Sequence, residues 1–221
     1  MNIYVKAFLI TVLVFIFGLF VGLNIERFML SNLEKRSSSV ESSIRDIELE
    51  LLYFQGLGEK DSCTFLKEVV RKTNNMLDVM ADQLGSYNEN DILFTSGQIA
   101  DVKATYTSLL IKDWILQDRI KKECNSTVVS VLFFYSTKDC DDCVVQGDVL
   151  TLLKDMFKDR LMVFPLDVDV DSDMIGILMS KFGVKSTPSL VVNGRLYSGI
   201  MQKDRLKSII CSELPGAPEC A

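Results

Sequence analysis

The sequence predicts an α/β fold, a βαβαββα domain preceded by a transmembrane helix and a helical region. Three observations carry this. An uncharged apolar run occupies residues 7–25. Apolar residues then recur at spacings of three and four through the first half of the chain, the period of amphipathic helices. From Thr127 onward, short β-branched and aromatic runs alternate with helical patterns, which implies a sheet with helical crossovers. The expected boundaries are 1–30 for an N-terminal anchor, 31–125 for a helical stalk and hairpin, and 126–221 for the α/β domain.

The run "AFLITVLVFIFGLFVGLNI" would span roughly 28 Å as a helix, about the thickness of a hydrocarbon core. Lys6 and the Glu26/Arg27 pair bracket it, and no A-x-A-like cleavage site follows, so a retained signal-anchor is expected rather than a removed signal peptide. Residues 31–43 form a polar stalk. Val40, Ile44, Ile47, Leu51 and Phe54 predict an amphipathic helix ended by Gly56 and Gly58. A second helix is expected from Ser62 to Leu84, stopped by Gly85, and a loop follows through "GSYNENDILF". Thr95 and Gln98 form a capping box for a third helix, with Ile99, Val102, Tyr106, Leu110 and Trp114 on its core-facing side.

In the α/β part, "TVVSVLFFYS" reads as the first strand. A helix follows, with Val145, Val149, Leu152, Leu153 and Phe157 as its apolar face. "LMVFPLDVDV" is a second strand and "SDMIGILMSKFG" a short helix. "PSLVVNGRLYSG" is a hairpin turning at Asn193-Gly194, and "QKDRLKSII" is the last helix.

The formal net charge is −6, and no segment gathers basic residues, which excludes nucleic acid as a partner. The chain has no histidine, so Ser-His and Cys-His pairs and histidine-ligated metals are excluded. Remaining chemistry falls to carboxylates, hydroxyls, lysines or the six cysteines. Cys63 would start one helix of an antiparallel hairpin and Cys124 end the other, so a disulfide between them is geometrically natural. Cys211 and Cys220 flank a Pro- and Gly-containing tail that a bridge would close. Buried free thiols are the alternative for these four. Asn125-Ser126-Thr127 matches a glycosylation sequon.

Cys140 and Cys143 form Cys-x-x-Cys at the end of the first strand. "VLFFYSTKDCDDC", "FGVKSTPSLVVNGRLYSG" and the order of elements together resemble the thioredoxin superfamily over about residues 127–212. The resemblance implies a redox strand feeding a helix N-terminus, a cis peptide at Thr187-Pro188, and Gly199 as the family's glycine beyond it. It also implies catalysis by thiol–disulfide exchange. Cys140, at the helix N-terminus, would be the nucleophile, its thiolate favoured by free backbone N–H groups. Cys143 would resolve the mixed disulfide, and Thr187 and Pro188 would hold the substrate chain. The pattern departs from the family in three places. Asp139 replaces the usual tryptophan, Asp141-Asp142 fill the motif, and Leu132 and Phe133 stand where a buried aspartate is usual. The acidic pair disfavours the thiolate, partly offset by Lys138, and biases the couple toward reduction or isomerisation.

The expected function is a membrane-anchored thiol–disulfide oxidoreductase acting on exported proteins. The alternative is a redox-silent adaptor on the same fold. Expected partners are protein thiols and disulfides, the membrane through residues 7–25, and a membrane redox partner; no cofactor is expected. A zinc site from Cys140, Cys143, Cys211 and Cys220 would need distant segments and a wide final gap. "DVDVDSD" lacks the glycine and distal glutamate of an EF-hand and reads as a strand end and helix cap, so no metal is assigned. Arg27, Lys35 and Arg36 favour the bulk of the chain inside. An even set of cysteines placed for bridges favours the outside, and the expectation of a single-pass, extracytoplasmic protein follows the cysteines.

Overall fold

The structure is a computed structural model. It describes residues 4, 8, 10–20, 59–86, 96–124 and 126–220, with some side chains within these excepted. The stalk, the amphipathic helix through Phe54 with Gly56 and Gly58, the loop before Ser96, the capping box and Asn125 of the sequon lie outside the described residues or their described side chains. The chain divides into two compact units, Met1–Gln55 and Gly56–Ala221.

In the first unit, residues 10–20 form a continuous helix, α1, with exposed apolar side chains such as Phe15 and Phe17. Among the described residues, no helix is long and apolar enough to cross a membrane. This corrects the transmembrane anchor expected over residues 7–25. The continuous described helix has eleven residues, about 16 Å at the α-helical rise, roughly half of a hydrocarbon core.

The second unit opens with two long helices, α2 (Glu59–Ser86) and α3 (Ser96–Glu123), packed as a hairpin. Then come β1 (Val129–Tyr135), α4 (Asp141–Phe157), β2 (Leu161–Asp167), α5 (Asp173–Phe182), β3 (Ser189–Val192), β4 (Arg195–Ser198) and α6 (Lys203–Glu213). This is the βαβαββα order read from the sequence. The sheet order is β2-β1-β3-β4, with β1 and β2 parallel and β3 and β4 antiparallel to their neighbours.

Alternation along β1 sends its side chains to two cores. Val129, Val131 and Phe133 join Leu150, Leu153 and Phe157 of α4 and Leu206 and Ile210 of α6. The intervening Leu132 and Phe134 are also buried, on the opposite face. There α3 packs against β1 and β2, and Trp114 of α3 meets Phe182 of α5 edge-on at 6.1 Å. Lys181 adds its ammonium over the Trp114 ring at 5.5 Å.

Two helix faces differ from the periodic reading. Buried positions on α3 include Thr107, Leu109, Ile111, Asp113, Leu116 and Ile120, so they are not confined to one stripe. The helix lies between α2 and the sheet, and two surfaces must be covered. On α4 the buried residues are Cys143, Gln146, Leu150, Leu153 and Phe157, whereas Val145 and Leu152 are 50% and 56% exposed. The true stripe runs through a glutamine, which an apolar count passes over. The second helix continues one residue beyond Gly85.

Asn193 and Gly194 both take positive φ, 46° and 87°, at the two-residue turn joining β3 to β4. This is the backbone that matches hairpin twist, and asparagine and glycine tolerate it best. Asn193 also accepts the Ser130 N–H at 3.1 Å and donates to Glu213 at 2.9 Å, tying the turn to β1 and α6.

Candidate active site

The central strand β1 ends at Tyr135, and a short loop then delivers Cys140 to the N-cap of α4. Cys140 and Cys143 are joined by a disulfide, with their Cα atoms 5.2 Å apart. The Cys143 N–H donates to the Cys140 carbonyl at 3.0 Å, the first turn of the helix. Cys140 is half-buried and Cys143 only 4% exposed, so an incoming sulfur reaches Cys140 more readily. Asp141 and Asp142 are exposed in the first turn, where negative charge stabilises a helix.

A cleft of about 520 Å³ lies beside the pair, lined by Phe133, Tyr135, Ser136, Thr137, Asp139 and Val144 together with both cysteines. Phe133 and Tyr135 stack across its floor with centroids 5.3 Å apart. Burial, with the charges of Asp167, Tyr106 and Asp169, pushes the Tyr135 hydroxyl up to about 12, so it stays protonated. The Lys138 ammonium is 3.6 Å from Asp169 Oδ1. Its charge is therefore partnered by Asp169, and the acidic surroundings of Cys140 are less compensated than sequence proximity suggests.

The Thr187-Pro188 peptide is cis. Ser189 is registered opposite Phe134, so Pro188, one residue earlier on the antiparallel strand, stands level with Tyr135. It thus lies at the sheet end from which the Cys140 loop departs. The β3 ladder begins at Ser189, leaving the Thr187 backbone outside it. Gly199, at φ 80°, donates its N–H to the Pro188 carbonyl at 2.9 Å.

The remaining cysteines are far from this chemistry in sequence. Cys63 is bonded to Cys124 and Cys211 to Cys220, each with Cα atoms 5.6 Å apart. The first bridge closes the open end of the hairpin. The second holds the C-terminal 3-10 turn against α6, where Arg160 also pairs with Glu219. Among the described residues no group of acidic, cysteine or histidine side chains could hold a metal ion. Asp167 and Asp169 of the acidic segment act in turns: Asp167 Oδ1 accepts the Asp169 N–H at 3.0 Å.

Sequence reading missed two residues that shape the site. Gln146 is fully buried, and its Oε1 accepts the Met201 N–H at 2.7 Å, fastening α4 to the segment after β4. Its position, three after Cys143 and four before Leu150, was the available signal. Asp169 accepts hydrogen bonds from Ser136 and Thr137, in the loop ahead of Cys140. Nothing local in the sequence pairs these residues.

The mixed sheet, the helix that starts at the Cys140–Cys143 disulfide and the hairpin carrying a cis proline define a thioredoxin-like fold. Solved structures similar to parts of this chain include the following two. Chloroplastic thioredoxin z is 17% identical, with 45% of this chain and 89% of that one covered and a TM-score of 0.37. A malarial protein is 25% identical, with 39% of this chain and 98% of that one covered and a TM-score of 0.33. No family model matches the chain, and no curated protein does.

Proposed function

We propose that this chain is a thiol–disulfide oxidoreductase acting on the cysteines of exported proteins through Cys140 and Cys143. The observation that carries the reading is the disulfide between a half-buried N-cap cysteine and a buried partner one turn on, facing an open cleft. In the reducing direction, the Cys140 thiolate attacks one sulfur of a substrate disulfide. The other substrate sulfur leaves as a thiolate and takes a proton. Cys143, losing its proton, attacks the Cys140 sulfur and expels the second substrate thiolate. The substrate gains two electrons and two protons, and the chain is left with the Cys140–Cys143 disulfide. A dithiol partner would reduce it again by the same exchange.

Pro188 and the Thr187 backbone, at the same end of the sheet, would hold the substrate strand beside Cys140. Asp139, Asp141 and Asp142 favour the neutral thiol over the thiolate, which makes the disulfide less oxidising and favours reduction or isomerisation. The paired state of all six cysteines supports an oxidising compartment.

The test is to trap substrates. Cys143→Ser should accumulate mixed disulfides through Cys140, and Cys140→Ser should accumulate few. The protein should also reduce insulin disulfides in the presence of a dithiol donor. Equal trapping by the two variants would overturn the assignment of roles, and no trapping by either, with no insulin reduction, would leave a redox-silent adaptor.

A further inference from the structure

A second cavity, also about 520 Å³, lies between the outer edge of β2, the flank of α4 and the α2–α3 hairpin. It touches the dithiol cleft only through shared walls at Phe133 and Gly147. Leu77, Leu110, Leu150 and Phe164 give it apolar walls from four different elements. Asp113 of α3 breaks this surface. It is only 3% exposed, and its buried Oδ1 accepts no hydrogen bond. A carboxylate so placed costs several kcal/mol unless a cation or donor reaches it.

We propose that this cavity binds a small molecule with an apolar body and a protonated amine, the amine donating to the Asp113 carboxylate. The volume lies within the ~300–1,000 Å³ of small-molecule sites. A lysine side chain from a partner protein would occupy only a fraction of it and leave the leucine walls wet. Asp78, on the α2 side, adds a second negative charge, while Lys154 on α4 is exposed and solvated. The assignment rests on no feature of the dithiol chemistry.

The probes are n-octylamine, 1-octanol, and Nα-acetyllysine amide, titrated at pH 8 into the full chain and followed by calorimetry and amide chemical shifts. Octylamine should bind at least tenfold more tightly than octanol, and the lysine derivative more weakly than octylamine. Shifts should map to residues 110–114 and 162–165. Asp113→Asn should abolish the preference for amine over alcohol while octanol still binds. Equal affinities for amine and alcohol, a preference that survives Asp113→Asn, or shifts elsewhere would each overturn the assignment. So would a lysine derivative binding as tightly as octylamine. The shift map on the unmodified chain decides the matter even if the variant does not fold.

Discussion

Asp169 Oδ2 accepts the Thr137 backbone N–H at 2.9 Å, so a carboxylate just beyond β2 holds the loop that delivers Cys140. The same oxygen accepts the Ser136 hydroxyl at 2.7 Å and the Thr137 hydroxyl at 3.2 Å. The Ser136 hydrogen bond is the main cause holding this carboxyl below its usual range; partial desolvation opposes it, and Thr137 and Lys138 reinforce it. Replacing Asp169 by Ala should cost about 1 kcal/mol, at the low end for a charged hydrogen bond because the site is open to solvent. A depressed carboxyl contributes fully above the unfolded pKa and loses that contribution as pH falls through the folded one. In urea titrations, the gap between Asp169→Ala and the parent should therefore narrow from pH 7 toward pH 2. A constant gap would mean the hydroxyl and amide contacts do not depend on the charge.

The acidic pair should set the direction of the redox couple. Asp141→Asn with Asp142→Asn removes two charges from the first turn of α4. The reduction potential, measured against a glutathione buffer, should rise by on the order of 10 mV or more. The rise should shrink in 1 M salt, where the screening length falls to about 3 Å. A potential unchanged at low salt would show that solvent alone neutralises these side chains.

The hairpin should depend on its bridge. Cys63 and Cys124 are 61 residues apart in sequence, and closing a loop of that length stabilises by about 4 kcal/mol on the chain-entropy account. Cys63→Ala with Cys124→Ala should speed amide exchange throughout α2 more than in β1 or β3. Uniform acceleration would mean that hairpin and sheet open as one unit.

The α/β part was legible because its signals are local. A β-branched run marks β1, Asn193-Gly194 marks the hairpin turn, and Thr187-Pro188 sits just ahead of β3. What was not legible depends on residues distant in sequence. Gln146 is bonded to a backbone 55 positions away, and Asp169 to one 32 positions away. The register of α4 was misplaced by one flank, since Val145 and Leu152 look like core and a glutamine does not. The anchor failed for another reason. An apolar window shows what a helix could cross, whereas the continuous described helix is too short to do so.

Asp113 should make the stability of the second unit depend on pH in the direction opposite to Asp169. Burial raises its pKa from 3.8 to about 7. The charged and titratable groups sharing its cavity are Asp78 from α2, Tyr106 from α3 and Lys154 from α4; β1 and β2 contribute none to the walls. Between about pH 4 and pH 7 the native state keeps a proton that the unfolded chain releases, so stability falls as pH rises through this window. Below it both states are protonated and the penalty vanishes; above it the penalty is complete. A shift of about three units corresponds to roughly 4 kcal/mol, an upper bound because an amide at the same place would also need partners. Asp113→Asn should therefore stabilise the protein by a few kcal/mol at pH 8 and by almost nothing at pH 4. Urea titrations at the two pH values measure the difference directly. An equal effect at both, or a loss at pH 8, would show that the carboxylate is already compensated in solution.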